Sequence, residues 1–334
     1  MIHSKLLRNA ARLVGAAALG GTLATPALSE TTLKFAHFVA PQHTLTGSVI
    51  EPLAEHLDEA TDGELQIQVY PGGELGAGPL EQYVRVVQGV ADIVWGLPGY
   101  TSSQFQKTMI AELPGVKAED TPGYEVIWNA YEDHLTDEFP GTKPLALWTS
   151  EPNIFIMKDH DIRTPDDLSG LKIRVAGSAS GAMVEALGAT PVQMPAGEIY
   201  NALQTGLIDG VVTGASAVAD FKLDEVANSY TLGAPLGQLV FYVVMNQAKY
   251  DSLTDVQKQA IDDMAGEPLS KSAEDAWNAK AEETIAGLRE DDGTTVIDLS
   301  DDEAAAFGEL TEPVTDQIVS DLGAEDTLAA MKGE

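Results

Sequence analysis

Cysteine is absent from the 334-residue sequence. Small secreted domains usually depend on disulfides, so a secreted form of this chain must take its stability from a hydrophobic core. The chain is long enough to form such a core, and its length predicts two domains. Because extracellular eukaryotic domains more often carry disulfides, a bacterial periplasm is the expected location.

Positive charge is scarce as well. The sequence has 19 Lys and Arg residues against 52 Asp and Glu residues, a formal net charge of −33. Such a chain repels nucleic acid and anionic lipid surfaces, which argues against both as partners. The acids are spread along the whole chain and predict an acidic surface suited to high external salt, as in a halophile. An ordinary acidic secreted protein is the alternative.

Long uncharged apolar runs are also lacking. The apolar run at residues 13–23 is too short to span a bilayer. Basic residues precede it and a small-residue site at residues 27–29 follows it, a pattern typical of a secretory signal. We therefore expect residues 1–29 to be cleaved, which takes the formal net charge from −33 to −36. No later stretch reaches membrane-spanning length, so a soluble mature protein is expected.

Sequence motifs for catalysis and metal binding are missing. The segment at residues 177–181 resembles a hydrolase elbow, but Ala179 stands where the nucleophilic serine belongs. No phosphate-binding loop is present. None of the histidines forms a metal-binding pair at helical spacing: His3, His37, His43, His56, His134 and His160. We predict a binding protein without metal or cofactor rather than an enzyme; a secreted α/β hydrolase is the less favoured alternative.

The hydrophobic pattern predicts an α/β fold. Residues 171–210 are expected to form strand, helix, strand, helix and strand, and residues 32–95 the same order. Each unit predicts a parallel sheet with helices on both faces. A buried strand is expected at residues 238–246 and one long helix from residue 255 to about 289. Together these elements indicate two lobes with several chain crossings.

Arg174 is the strongest candidate for ligand binding. It ends a predicted strand just before a glycine-rich turn, where open α/β sheets present groups to ligands. Its guanidinium forms a fork that matches a planar carboxylate. Ile173 and Val175 beside it are apolar, and a partly buried arginine requires an anionic partner. That partner is either a ligand or an internal acid, and the residues alone leave both possibilities open.

Four aromatic residues lie near predicted strand ends: Trp95, Tyr100, Trp148 and Phe155. They either form the wall of a small pocket or belong to the core of a lobe.

Three polar residues are further candidates. Glu151, with Asn153 beside it, follows a predicted strand and either pairs with Arg174 or a cationic ligand, or lies in a solvated loop. His37 follows the first strand and either lines a cleft or has a structural role.

Several motifs make the chain resemble a known family. They are LKFAHFVAPQH, GELQIQVYPGGELG, QGVADI, RTPDDLSGLKIRVAGSASGAMVEALGATPVQMPAGEIYNALQTGLIDGV and VMNQAKYDSLTDVQKQAI. In order and spacing they resemble the DctP-type periplasmic solute-binding proteins of tripartite ATP-independent periplasmic (TRAP) transporters. The resemblance covers nearly the whole mature chain.

The resemblance implies a two-lobed clamp that closes on a small solute and delivers it to a membrane permease driven by a sodium gradient. It implies that Arg174 forms a bidentate pair with a ligand carboxylate, and that Thr213 and the loop at residues 95–100 contact the ligand. The expected lobe I is residues 30–150 plus about 238–290. The expected lobe II is residues 151–237 plus about 291–334.

The chain departs from the family pattern in ways that bear on the ligand. Residues 150–153 and 211–214 differ, and the usual histidine is missing near residues 232–235. These changes disfavour a dicarboxylate or sugar acid, because only one cationic end can be placed. Two ligand classes remain open. One is a small monocarboxylate held by Arg174. The other is a small amine or amino alcohol such as ethanolamine, an amino acid or a betaine-like osmolyte, bound through Glu151 and cation–π contacts. A ligand sensor not coupled to transport is the alternative function.

Overall fold

The computed structural model describes residues 30–118 and 120–334, within which the chain forms eleven strands and eleven α-helices. The strands are β1 (Thr31–Ala36), β2 (Leu65–Tyr70), β3 (Ile93–Gly96), β4 (Thr142–Thr149), β5 (Asn153–Met157), β6 (Lys172–Val175), β7 (Thr190–Gln193), β8 (Gly210–Gly214), β9 (Ser229–Leu232), β10 (Val240–Asn246) and β11 (Thr295–Asp298). The helices are α1 (Glu51–Ala60), α2 (Gln82–Val87), α3 (Gly123–Ala130), α4 (Ser178–Ala186), α5 (Ile199–Thr205), α6 (Ser216–Asp220), α7 (Gln247–Asp251), α8 (Asp255–Met264), α9 (Glu267–Glu290), α10 (Asp301–Leu322) and α11 (Glu325–Met331). The predicted secretory signal lies outside the described residues.

The strands form two sheets. The first has the order β2-β1-β3-β10-β4, and its first three strands in sequence run parallel, as the alternating pattern predicts. Strand β10 runs antiparallel between β3 and β4, so the sheet is mixed rather than wholly parallel.

The second sheet has the order β11-β9-β5-β8-β6-β7. The predicted unit at residues 171–210 is confirmed as β6-α4-β7-α5-β8, with β6 parallel to both β7 and β8. Strand β5 runs antiparallel to β8 and β9. Since the carboxyl ends of β6 and β8 meet at one edge, residues that end these strands come together there.

Both sheets are covered on both faces, as expected for an α/β fold. Along β10, Val243 and Met245 join one buried cluster, whereas Tyr242 and Val244 join another. The same alternation occurs along β5 in the second sheet. A strand buried on both faces is apolar at every position, which is why this segment reads as a continuous hydrophobic run.

The chain crosses between the sheets along two adjacent segments, from β4 to β5 and from β9 back to β10. The Ser150 N–H donates to the Leu239 carbonyl at 2.8 Å, and the Asn153 N–H donates to the Gly237 carbonyl at 2.9 Å. The Ser150 hydroxyl oxygen accepts from the Leu239 N–H at 3.0 Å. Helix α9 is a third connection, because it packs on β4 of the first sheet and on α6 beside the second.

The expectation of one helix from residue 255 to about 289 was wrong. Helix α8 ends at Met264, and α9 begins after Gly266, whose φ is +85°. Pro268 stands in the first turn of α9, where its missing N–H costs nothing. The Gly266 N–H donates to the Leu145 carbonyl of β4 at 2.8 Å, which holds the break against the sheet.

The C-terminal helices contact both lobes. Helix α10 packs on α4, whereas α11 packs on α3. Val319, Ala324 and Met331 belong to a buried cluster of the first sheet. These contacts place α11 beside the first sheet. The lobe boundaries expected from the sequence stay a prediction. No helix in the described ranges has both the length and the apolar character needed to cross a bilayer.

Glu112 is buried beside the returning segment that leads into β10. Its Oε1 accepts from the Val240 N–H at 3.3 Å, and its backbone carbonyl accepts from the Gln238 N–H at 3.1 Å. Its Oε2 has no partner. Burial raises the pKa of this carboxyl from 4.5 to about 8, so the folded protein keeps a proton that the unfolded chain has lost at neutral pH.

We predict that Glu112→Gln makes stability less dependent on pH. Between pH 4.5 and 8 the folded state binds more protons at Glu112 than the unfolded state, so its contribution to stability falls as the pH rises. Glutamine keeps the acceptor for Val240 but cannot ionise. The free energy of unfolding of the variant, relative to that of the wild type, should therefore increase from pH 5 to pH 8. The increase should be roughly 1.4 kcal/mol for each pH unit between the two pKa values.

Denaturant titrations of both proteins at several pH values measure this difference. The exposed Glu132→Gln variant is the control and should track the wild type. Parallel stability curves for Glu112→Gln and the wild type would contradict the assignment.

Candidate ligand-binding site

A cavity lies between the two sheets. Its empty volume, counting the part open to solvent, is about 480 Å³. Side chains of the first lobe that line it include Phe38, His43, Trp95, Tyr100, Ser150 and Phe241. The second lobe contributes Arg174, Thr213, Ser216, Asp220 and Phe221, and α9 contributes Trp277. A small solute in this space contacts both lobes.

Arg174 ends β6 at the edge of the second sheet and is 1% exposed. Its Nε and one terminal nitrogen donate to the Met194 carbonyl at 3.0 and 2.9 Å, and the same terminal nitrogen donates to the Tyr100 hydroxyl at 3.3 Å. Burial lowers the pKa of Arg174. Among the described residues no carboxylate lies within ion-pair distance of the guanidinium. The site therefore holds a buried cation whose counter-charge the described protein does not supply.

Tyr100 links the two lobes. It follows β3 in the first lobe, and its hydroxyl oxygen accepts from Arg174 and from the Ala196 N–H at 3.0 Å, both in the second lobe. Since both lone pairs are used, the tyrosine proton remains to be donated toward the cavity or its contents.

Two glycines let the lobes approach at this point. A Cβ on Gly177 would lie 2.6 Å from the Gly99 Cα, so even alanine does not fit without movement. The Gln193 side chain donates to the Gly99 carbonyl at 3.2 Å across the same contact. The lobes touch here directly, backbone against backbone.

Aromatic rings form most of the wall. Trp95 stacks between Phe38 and Phe241, with ring centroids 4.8 and 5.7 Å apart. The Trp277 ring lies 5.3 Å from that of Phe241. Such a wall suits a flat apolar group and excludes bulk water from the guanidinium.

His43 and Asp220 contact each other across the lobes. The His43 Nε2 lies 3.4 Å from an oxygen of Asp220, whose other oxygen accepts from the Thr44 N–H at 3.2 Å. Burial lowers the pKa of His43 to about 3, so the ring is neutral. The His43 Nδ1 accepts from the Leu45 N–H at 3.1 Å, which places the ring proton on Nε2, facing Asp220.

Glu151 is buried behind the polar part of the wall rather than on it. Its Oε1 accepts from the Ser216 N–H at 2.6 Å, and its Oε2 has no partner. Burial raises the pKa of Glu151 to about 7. A Cβ on Gly214 would lie 2.3 Å from Oε1, so glycine is needed in β8 at this point.

The structure brings four of the sequence-predicted residues onto the cavity: Arg174, Trp95, Tyr100 and Thr213. The other five lie elsewhere. Trp148 packs behind the wall, with its ring 5.3 Å from Phe241 and 5.4 Å from Trp277. Glu151 lies behind Ser216, as described above.

Three residues predicted for the ligand site lie away from the cavity, within the packed interior of the protein. Asn153 lies in the crossing between the sheets, where its amide donates to the Leu236 carbonyl at 3.2 Å. His37 is buried near Phe35; neither ring nitrogen has a partner, and burial lowers its pKa to about 4. Phe155 packs against Phe307 in the core of the second lobe. Strand alternation explains this, because Phe155 points to the face of β5 opposite Ile154 and Ile156.

Sequence reasoning missed most of the aromatic wall and most of the polar residues on the cavity. The missed residues are Phe38, His43, Ser150, Ser216, Asp220, Phe221, Phe241 and Trp277. Phe38 follows β1 just as the Trp95 region ends β3, so adjacency of parallel strands could have found it. Trp277 and Phe241 carried no such signal, because a helix and a returning strand far along the chain bring them here. Within the described ranges no three His, Asp or Glu side chains are placed to hold a metal ion.

Comparison with known proteins identifies the family. The model of the bacterial extracellular solute-binding proteins, family 7 (DctP), matches residues 35–321. The chain belongs to this family. The two-lobed α/β fold and the solute-binding role in TRAP transport predicted from the sequence are confirmed.

Three relatives illustrate the match. The C4-dicarboxylate-binding periplasmic protein DctP of Rhodobacter capsulatus is 30% identical over 327 residues, 96% of each chain. A TRAP solute-binding protein of Rhodoferax ferrireducens T118, solved with copurified benzoate, is 28% identical with a TM-score of 0.83, covering 91% of this chain and 97% of that one. A marine metagenome TRAP solute-binding protein specific for aromatic acid ligands, solved with 3-hydroxybenzoate, is 29% identical with a TM-score of 0.85, covering 91% and 98%.

Proposed function

We propose that this TRAP solute-binding protein captures an aromatic monocarboxylate. The observation that carries the proposal is the buried Arg174 guanidinium, which has no carboxylate partner among the described residues and faces a cavity walled by aromatic rings. A buried cation is costly unless an anion pairs with it, and a ligand carboxylate matches its fork. The Thr213 hydroxyl lines the same cavity and adds a donor for the carboxylate.

The ring wall selects the rest of the ligand. Phe38, Trp95 and Phe241 stack on one another and, with Trp277, give the cavity an apolar aromatic lining. A planar aromatic ring packs against such a lining by stacking or edge contacts. The two solved relatives named above hold benzoate and 3-hydroxybenzoate, which supports this ligand class.

The other ligand classes fit less well. A dicarboxylate or uronic acid would bring a second charge or many hydroxyls into a cavity with one cationic residue on its described lining. The amine alternative depended on Glu151, but this side chain is engaged by the Ser216 N–H behind the wall. An amine that carries no carboxylate would also leave the Arg174 charge without an anionic partner, which opposes it.

Ligand capture works by closure of the two lobes. The paired segments around Ser150 and Leu239 and helix α9 connect the lobes and act as the hinge. Arg174 belongs to one lobe and Trp95 and Tyr100 to the other, so a ligand in contact with all three stabilises the closed state by its differential contacts. The protein performs no covalent chemistry in this cycle.

The transport context follows from the family and the N-terminal sequence. The predicted secretory signal at residues 1–29 exports the chain to the periplasm, where the loaded protein delivers its ligand to the membrane permease of the TRAP system. Membrane vesicles that contain the cognate permease should accumulate the aromatic acid only when this protein and a sodium gradient are both present. Binding without uptake would instead support the ligand-sensing alternative.

We predict that Arg174→Ala lowers the affinity for benzoate by about 2–4 kcal/mol, the effect of breaking a buried charge pair. This corresponds to roughly 30- to 700-fold. Isothermal titration calorimetry measures it, after circular dichroism has shown that the variant is folded. Arg163→Ala is the matched control, because the Arg163 side chain is 55% exposed and pairs with Glu303 on the surface. Unchanged affinity of Arg174→Ala would remove this residue from the site.

We predict that Gly177→Ala weakens ligand binding but leaves the unliganded protein stable. The added Cβ clashes with Gly99 of the other lobe, so the clash arises only when the lobes meet. The Gly177 φ of −151° suits any residue, so alanine adds no backbone strain. Overpacking of this kind costs about 1–3 kcal/mol, and because it falls on the closed state it should appear as a loss of affinity.

Gly181→Ala in the same helix is the control, because its added Cβ would make only ordinary contacts at 3.8 and 3.9 Å. Calorimetry with benzoate and thermal unfolding without ligand should separate the two variants. Equal affinities for both would show that the contact between Gly99 and Gly177 does not take part in closure.

A further inference from the structure

The cavity contains a second ionisable side chain that the proposed carboxylate contact does not use. Asp220 lines the cavity, and its side chain is 5% exposed. Its oxygens accept from the Thr44 N–H and face the His43 Nε2, which leaves acceptor capacity on a group with about four lone-pair positions. A buried carboxylate whose partners are a neutral ring and the amide and hydroxyl of Thr44 has no full counter-charge.

The surroundings of Asp220 do not supply a full counter-charge. His43 is neutral, and the 3.4 Å separation from its Nε2 is long for a hydrogen bond. Lys280 on α9 acts on Asp220 at a distance but forms its own ion pair with Glu283 at 3.0 Å. Glu151 lies nearby and adds negative rather than positive potential.

Asp220 and Arg174 both line the cavity, and no hydrogen bond or ion pair joins them among the described residues. Arg174 contacts Tyr100, whose ring lies 6.0 Å from that of Phe38. Phe38 stacks on Trp95, and the His43 ring lies 5.5 Å from that of Trp95. The Asp220 carboxylate lies 3.4 Å from the His43 Nε2. A cation and a carboxylate with separate partners thus line one cavity walled by aromatic rings.

We propose that Asp220 determines specificity by accepting a hydrogen bond from a hydroxyl or amino substituent on the ring of the bound aromatic acid. This inference rests on the proposed function and refines it. A ligand without a donor would place apolar ring against a buried carboxylate and leave it unpaired, which is how a polar site rejects an analogue that lacks the group.

The charge of Asp220 also predicts which substituents are rejected. A second carboxylate on the ligand, placed beside Asp220, would meet the like charge of its carboxylate. A methoxy group has nearly the shape of a hydroxyl but only accepts hydrogen bonds, so it cannot pair with the carboxylate. The preferred order is therefore donor-bearing ring, then unsubstituted ring, then acceptor-only ring.

Calorimetry on the full chain tests the inference with benzoate, 3-hydroxybenzoate, 4-hydroxybenzoate and the two matching methoxybenzoates. One hydroxybenzoate should bind the wild type at least about tenfold more tightly than benzoate and than its methoxy analogue, the size of effect expected of a hydrogen bond to a charged group. In Asp220→Asn this preference should shrink to about threefold or less, because the amide lacks the charge and can itself donate to the methoxy oxygen.

Asp224→Asn is the matched control, since Asp224 is exposed one turn beyond α6 and should leave the preference unchanged. If the wild type binds benzoate as tightly as both hydroxybenzoates, or if Asp220→Asn keeps the full preference, the role of Asp220 is overturned while the proposed function stands. If none of these acids binds the wild type, the proposed function itself falls. The wild-type series needs no variant, so it decides the point even where Asp220→Asn fails to fold.

Discussion

The buried charge of Arg174 is the constraint on which the rest of the site depends. A guanidinium that is 1% exposed can be held there only by groups that fix its orientation and by an anion that cancels its charge. The Met194 carbonyl and the Tyr100 hydroxyl provide the first, and one of them comes from the opposite lobe. In the proposed function the anion comes with the ligand, so occupancy of the site and contact between the lobes would be energetically linked.

Charge is arranged at two scales in this molecule. The whole chain carries a formal charge of −33, which repels an anionic ligand at long range and is screened within about 10 Å at 0.1 M salt. Inside the cavity the pattern is local: Arg174 and Asp220 line it together with uncharged aromatic rings. In the proposed function these short-range contacts, away from bulk water, outweigh the general repulsion and set the choice of ligand.

The fold could be predicted from the sequence in its repeating parts. Alternation predicted β1 and β2, and the order of the elements from β6 to β8 was predicted correctly, although β8 begins at Gly210, where the predicted unit ended, and runs to Gly214. The division of α8 from α9 was not foreseen, because a glycine or a proline can also stand inside a helix, so Gly266 and Pro268 did not by themselves predict a break. Only the hydrogen bond from Gly266 to β4 shows where the helix is interrupted. Phe155 and Trp148 lie outside the cavity for a related reason. The end of a strand marks the edge of a sheet, but which face a side chain points to and how deeply it is buried decide whether its ring reaches the cavity.

The sequence by itself determined the class of the fold and the solute-binding family, and it singled out Arg174 as a candidate, because these depend on local periodicity and on a charge that cannot be lost at ordinary pH. Only the tertiary structure decided what surrounds that charge. Phe241, Trp277 and Asp220 are separated from Arg174 by tens of residues, and the crossing segments and α9 bring them to one cavity. Contacts between distant residues leave no periodic trace in the chain, so the ligand's shape is set by packing that the sequence pattern does not display.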